Sequence, residues 1–283
     1  MSAPPRTLLA RGRTLQLGGR PWLMGIVNAS PDSFSGAGED VSGADVVDVG
    51  GESARTDRPA VDADEEIARV VPVVERLAAA GALVSVDTYK PAVARAAIEA
   101  GAVLVNDVSG LRDPGLAGVC AETGAALVLM HTVGAPKEKV LDHPYGDVAA
   151  DVTAFLRERI DTATAAGVPF ESLVLDPGPD FGKSPAQTVT ALGALRELHA
   201  LERPLLAAVS RKDFVGALTG RAPRDRGAGT LAAVGYAADA GAHLLRVHDV
   251  AATRDYLAVR DALRGDAEVQ DDLRLAEALR RQE

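Results

Sequence analysis

Eight short apolar runs, each ending in or leading to polar residues, limit most strongly what this chain can become. They span 22–28, 46–51, 83–88, 103–109, 126–132, 173–178, 205–211 and 244–249. Each is rich in Val, Leu or Ile and has the length of a buried strand. Ala-rich segments alternate with them, and 65–80, 92–100, 115–122, 145–166, 184–201 and 229–240 fit helices. Several of these end at a glycine (Gly81, Gly101, Gly124, Gly167, Gly241), the residue that supplies a left-handed cap. Strand–helix alternation repeated this often predicts an α/β fold, a single (β/α)8 TIM barrel, with a doubly wound open sheet as the alternative. The 283 residues accommodate one such barrel with short extensions.

Two stretches depart from the alternation. The connection between the first two runs, 29–45, contains Pro31 and has room for a loop with at most a short helix, so the first outer helix is reduced or missing. Residues 1–20 read as a small β-hairpin, 7–10 against 14–17, able to plug the barrel bottom. The barrel then occupies 21–264. A charged tail, 265–283, follows, with a helix expected over 271–281.

The net charge of −10 disfavours nucleic acid and anionic membranes as partners, and any anionic ligand needs a local cluster of Arg, Lys and His. The single cysteine, Cys120, rules out an intramolecular disulfide framework. The chain has no apolar run of membrane-spanning length and no secretory leader pattern, so a cytoplasmic location is expected.

Barrel active sites gather where strands end, because the βα loops converge there. The ends here carry Asn28, Glu52 with Arg55, Asp87, Asn106 with Asp107, Met130 with His131, Asp176, Ser210 with Arg211 and Lys212, and Arg246 with His248 and Asp249. One such residue would read as a cap or salt bridge. Eight ends together read as a site. Asp87, Asn106 and Asp176 suit a flat heterocycle bearing amino and ring N–H groups, and Lys212 suits its carbonyl or ring nitrogen. Arg55, Arg246 and His248 offer positive charge for a phosphate or diphosphate, the alternative for Arg55, Arg246 and Asp249 being a surface ion-pair network at the rim. Asn28 could hold a divalent ion such as Mg²⁺ on that diphosphate. His143 and His199 read as surface residues, and His243, ahead of the last strand, as structural on the bottom face.

These residues sit in segments that resemble the dihydropteroate synthases along nearly the whole chain. The segments are Met24-Gly-Ile-Val-Asn-Ala-Ser-Pro-Asp-Ser-Phe-Ser35, Asp48-Val-Gly-Gly-Glu-Ser53, Ser85-Val-Asp-Thr-Tyr-Lys90, Asn106-Asp-Val-Ser-Gly110, Leu129-Met-His131, Leu175-Asp-Pro-Gly178, Phe181-Gly-Lys183, Ser210-Arg-Lys212 and Arg246-Val-His-Asp249. The resemblance implies condensation of 6-hydroxymethyl-7,8-dihydropterin diphosphate with p-aminobenzoate, with diphosphate released and SN1 character at the methylene. It implies that Asp87, Asn106, Asp176 and Lys212 hold the pterin, and that Met130, Gly182, Lys183 and Ser210 also bind substrate. Asn28 with Mg²⁺, Arg55, Arg246 and His248 would hold the diphosphate. Phe181 would line the p-aminobenzoate pocket with Asp213 on the same side, and loops 29–39 and 54–61, with Asp32 and Arg55, would close over the substrates. It also implies a homodimer.

Four departures bear on the acceptor side: the short 29–45 connection, Ala54 and the missing proline–glycine turn after Arg55, Pro179-Asp180 ahead of Phe181, and Asp213 where the family usually has a serine that meets the p-aminobenzoate carboxylate. An Asp213 pointing into the site would repel that carboxylate by about 4 kcal/mol at 4 Å and an effective dielectric near 20. An Asp213 turned away would instead cap its helix. The alternative function is therefore a synthase paralogue that binds the pterin but lacks or alters p-aminobenzoate use, acting on another amine. A related methyltransferase barrel is disfavoured by the basic set Lys183, Lys212, Arg246 and His248.

Overall fold

The computed structural model describes residues 3–29, 41–53, 56, 58–138, 140 and 143–280. The chain opens with an antiparallel hairpin, β1 (Ala3–Ala10) and β2 (Arg13–Gly19), longer at both strands than expected. The following strands are β3 (Trp22–Asn28), β4 (Val46–Gly50), β5 (Val84–Asp87), β6 (Leu104–Asp107), β7 (Ala126–Met130), β8 (Leu173–Asp176), β9 (Leu206–Ala207) and β10 (Leu244–Val247). They pair in the order β8-β7-β6-β5-β4-β3-β10-β9, and every named pairing is parallel. A parallel bridge between Leu175 and Leu205 joins the two ends and closes the ring. The open sheet is thereby excluded and the barrel stands.

Around it lie α1 (Ala63–Ala79), α2 (Pro91–Glu99), α3 (Pro114–Thr123), α4 (Val148–Ala165), α5 (Pro185–Gly193), α6 (Asp213–Thr219), α7 (Gly227–Asp239) and α8 (Val250–Arg264). The helix expected over 184–201 is α5 followed by a tighter 3-10 segment, Leu195–Leu201. Helix α6 starts at Asp213, where the reading of that residue placed a helix, whereas α8 was not expected. Helix α8 is capped by Asp249, whose carboxylate accepts from Ala252 N, and buries Val250, Thr253 and Leu257 on one stripe. Over 271–280 the tail carries a single 3-10 turn, Glu277–Leu279, and not the helix expected there. Its side chains are all exposed, and a short helix with no face to pack is marginal in water. The described part of the first connection, residues 41–45, contains turns and no helix, while Asp32 and most of the loop lie outside the described residues.

Side chains along a strand point alternately to opposite faces, and that period sorts the core into two. Leu23, Val47, Val49, Val84, Val86, Val105, Leu127, Leu129, Leu173 and Leu175 face the helices in one apolar cluster. Met24, Val46, Leu104, Val128, Val174, Leu206 and Leu244 form a second cluster with Leu8, Ala10 and Leu17 of the hairpin. The hairpin therefore seals the lower barrel interior. His243 fastens it: Leu205 N donates to Nδ1, and Nε2 lies 2.9 Å from the carbonyl of Pro4. His243 is structural, as expected, and burial depresses its pKa to about 4. His199 is not a surface residue. Its ring meets that of His243 edge-on at 5.6 Å, and it packs half-buried against the hairpin side.

Candidate active site

Two residues above the apolar inner layer, the same strand faces turn polar. Asp48 follows Val46, Asn106 follows Leu104, Asp176 follows Val174 and Arg246 follows Leu244 at that spacing, while Met130 after Val128 stays apolar. The register carries Asn28, Gly50, Asp87 and Asn106 in one row across four strands. The folded barrel thus brings together Asp87, Asn106, Asp176 and Arg246, as the strand-end pattern predicted, and adds Asp48.

Asp48 is fully buried. Its Oδ2 accepts from Asn106 Nδ2 at 3.0 Å and from Arg246 Nε at 2.6 Å, and Arg246 also donates from Nη2 to Asp87 Oδ2 at 2.7 Å. Arg246 is therefore engaged by two carboxylates inside the barrel and does not belong to a rim network. Burial works against its charge, but Asp48 and Asp87 outweigh it and raise its pKa. Burial raises the pKa of Asp87, with Arg246 opposing and Asp48 reinforcing. Asp48 Oδ1 and Ser85 Oγ are buried without a hydrogen-bond partner, which leaves acceptor capacity on the inner wall. Asp176 is buried at the end of β8, and its Oδ1 accepts from Gly178 N at 2.7 Å. Burial raises its pKa, with Lys212, Lys183 and Arg246 opposing.

The β8–α5 loop is unusually constrained. Gly178, Asp180 and Gly182 all take the left-handed conformation, and a Cβ on Gly178 would stand 2.0 Å from the His131 carbonyl oxygen. Buried Lys183 ties the loop together. Its Nζ donates to the carbonyls of Gly178 at 2.9 Å and Phe181 at 3.2 Å, and lies 2.7 Å from His131 Nδ1. Lys183 therefore holds its own loop. Burial depresses its pKa to about 7, and burial with the Lys183 charge holds His131 at about 3, neutral. A lysine depressed in the fold makes stability rise with pH between about 7 and its unfolded value near 10.4, because there the unfolded chain binds the extra proton. Lys183→Met should remove that slope. Urea unfolding at pH 7 and pH 9 should show wild type gaining about 1–3 kcal/mol relative to the variant. A difference that stays constant with pH would refute the assignment.

Phe181 and Lys212 meet across the mouth, with Lys212 Nζ 4.5 Å from the ring centre. Burial lowers the Lys212 pKa, while Asp180 and Asp176 oppose the shift. Asp213 does not cap α6. Its side chain is 86% exposed and pairs with Arg226 Nη1 at 2.9 Å. Asp180 supplies the cap instead: its Oδ2 accepts from Asp213 N at 2.6 Å, and both oxygens lie within reach of Phe214 N. The Ser210 hydroxyl accepts from His248 N and lies 2.9 Å from His248 Nδ1. Burial, with Arg211, Arg246 and Lys212, lowers the His248 pKa to about 4. In the absence of an anion, His248 is therefore neutral at neutral pH. Gly182 accepts from Tyr145 Oη at 3.1 Å, and Met130 is buried at the end of β7.

Glu52, at the end of β4, was expected at the mouth but forms a structural knot. It accepts from Tyr89, Lys90 and the amide of Val61, and pairs with Lys137. Ala54 and Arg55 lie outside the described residues. Asn28 is exposed at the end of β3. Among the described residues no group of three or more His, Cys, Asp or Glu could hold a metal ion. The Asn28 amide oxygen is of the type a hard ion accepts beside diphosphate oxygens and water.

Comparison with known proteins agrees with this geometry. The model of the pterin-binding enzyme family matches residues 24–248. The dihydropteroate synthase of Escherichia coli K12 is 40% identical over 270 residues, which cover 90% of this chain and 95% of that protein. A probable bifunctional folylpolyglutamate synthase/dihydropteroate synthase of Haloferax volcanii is 42% identical over 273 residues, and the match spans 88% of this chain but 32% of that longer protein. The solved Xanthomonas albilineans dihydropteroate synthase with 4-aminobenzoic acid superposes with a TM-score of 0.83 at 46% identity, covering 92% of this chain and 99% of that one. A closed barrel with a carboxylate-lined inner layer, matched over nearly its full length, belongs to the dihydropteroate synthase family of pterin-binding enzymes.

Proposed function

We propose that this protein is a transferase of folate biosynthesis that joins a dihydropterin methylene to an arylamine. The C–O bond to diphosphate breaks, a C–N bond to p-aminobenzoate forms, and the amine gives up a proton. The observation that carries this reading is the inner polar layer of Asp48, Asp87, Asn106 and Asp176 with Lys212 above it. These are acceptors and donors in the number a pterin edge requires, set in a water-poor wall where each bond discriminates strongly. Arg246, Lys212 and His248 would stabilise the departing diphosphate. Ser210 would hold the His248 ring. Asn28 would hold Mg²⁺ on the diphosphate, and the ion would supply charge neutralisation there. Phe181 would be the wall against which the arylamine lies, with Asp32 and Arg55 closing over it.

The same reading includes a homodimer and a cytoplasmic location. Exposed Tyr236, Val259 and Leu263 on α7 and α8 support self-association, and no helix among the described residues is long and apolar enough to cross a membrane. A second reading, pterin binding without p-aminobenzoate use, is favoured by one observation. The first free amides of α6, beside Lys212 and Phe181, are taken by Asp180. Assay of the purified protein with the dihydropterin diphosphate, p-aminobenzoate and Mg²⁺, alongside calorimetric titration of the pterin alone, separates the two. Turnover establishes the synthase. Binding without turnover establishes the second reading, and neither would refute both.

A further inference from the structure

Asp180 stands immediately before Phe181 in the left-handed conformation, with φ of 67°. Its Oδ1 lies 3.2 Å from Thr188 Oγ1, its own amide donates to that hydroxyl at 3.1 Å, and its Oδ2 takes the Asp213 amide at 2.6 Å. Three holds fix one carboxylate between two loops. Lys212, stacked on the Phe181 ring, meets Asp180, Asp176 and Asp213 as its acidic neighbours and Arg246 as its basic one. Two features beside Phe181 would attract an anionic substituent on an arylamine: the Lys212 ammonium and the first amides of α6. Asp180 engages the amides directly and offsets the ammonium, while the charge of Asp213 is met by Arg226.

We infer that Asp180 is the specificity-determining residue of the acceptor side, its fixed carboxylate biasing the site away from amines that carry a carboxylate and toward neutral ones. The inference rests on the reading of Phe181 as the acceptor wall. Asp180→Asn isolates the charge, because asparagine tolerates the left-handed backbone and its amide oxygen can still accept from Asp213 N. The ratio of kcat/KM for p-aminobenzoate to that for its neutral amide, p-aminobenzamide, should rise about tenfold in the variant, the effect of deleting one like charge several ångströms away at intermediate dielectric. A ratio unchanged within about twofold, or one that falls, overturns the inference while leaving any observed turnover standing. If neither protein turns over either amine, the synthase reading fails separately. The same ratio is then read from calorimetric affinities of the two compounds for protein saturated with the pterin substrate, and no change there overturns the inference too. Should Asp180→Asn fail to fold, Asp180→Gly keeps the backbone conformation and removes the same charge.

Discussion

Replacing Arg246 by methionine should cost the protein both its fold stability and its turnover. Arg246 is the cation hydrogen-bonded to Asp48 and Asp87 in the barrel interior. Removing one partner of a buried ionic group leaves uncompensated charge, which costs about 3–5 kcal/mol. Activity should fall below detection, because the inner wall loses its pairing and the leaving group loses a cation. Lysine should not rescue, since one ammonium cannot reproduce two divergent N–H bonds. Adding Asp48→Asn to Arg246→Met should recover part of the lost stability but none of the activity. Chemical unfolding and a turnover assay on the four proteins decide it. An Arg246→Met protein as stable as wild type would mean that the carboxylates are already neutral and that the network is misread.

Asp176→Ala should abolish pterin binding. The Asp176 carboxylate accepts from Gly178 N and stands near Lys212, so its loss removes a loop anchor as well as a ligand acceptor. Hydrogen bonds to a charged group contribute about 1.5–3 kcal/mol each, and two of them correspond to roughly a thousandfold or more in affinity. Asp176→Asn should retain the loop, because its amide oxygen can still accept from Gly178 N, yet bind weakly. Calorimetry with the pterin substrate reads the difference, and comparable affinity in wild type and Asp176→Ala would remove Asp176 from the site.

Much of this was readable from the chain alone, for a definite reason. Parallel strands are apolar on both faces until they reach a mouth, so the polar residue that ends each run announces the site. That rule located Asp87, Asn106, Asp176 and Arg246. It passed over Asp48, which sits inside a strand, although a carboxylate flanked by valines must find a buried partner. Other features depended on tertiary partners that no local pattern reveals. Asp213 looked like the residue to watch, but Arg226 draws it outward and Asp180, from a different loop, takes the helix start. Lys183 looked like one more basic group for a ligand, but its loop folds around it. Helix α8 escaped notice because it has one narrow buried stripe amid charged residues.

The hairpin beneath the barrel has a kinetic consequence. Leu8 and Leu17 stopper the lower end of the barrel, so among the described residues that end offers no way to the inner layer. On the proposed function, a ligand bound at the carboxylate layer would lie beneath the Phe181 and Lys212 pair, and a joined product would leave past the same pair. Traffic through such a vestibule is sequential by geometry: the deep ligand arrives before the shallow one, and an arylamine seated early bars the way. Initial-rate patterns should therefore show compulsory order, with excess arylamine slowing the reaction by blocking the door.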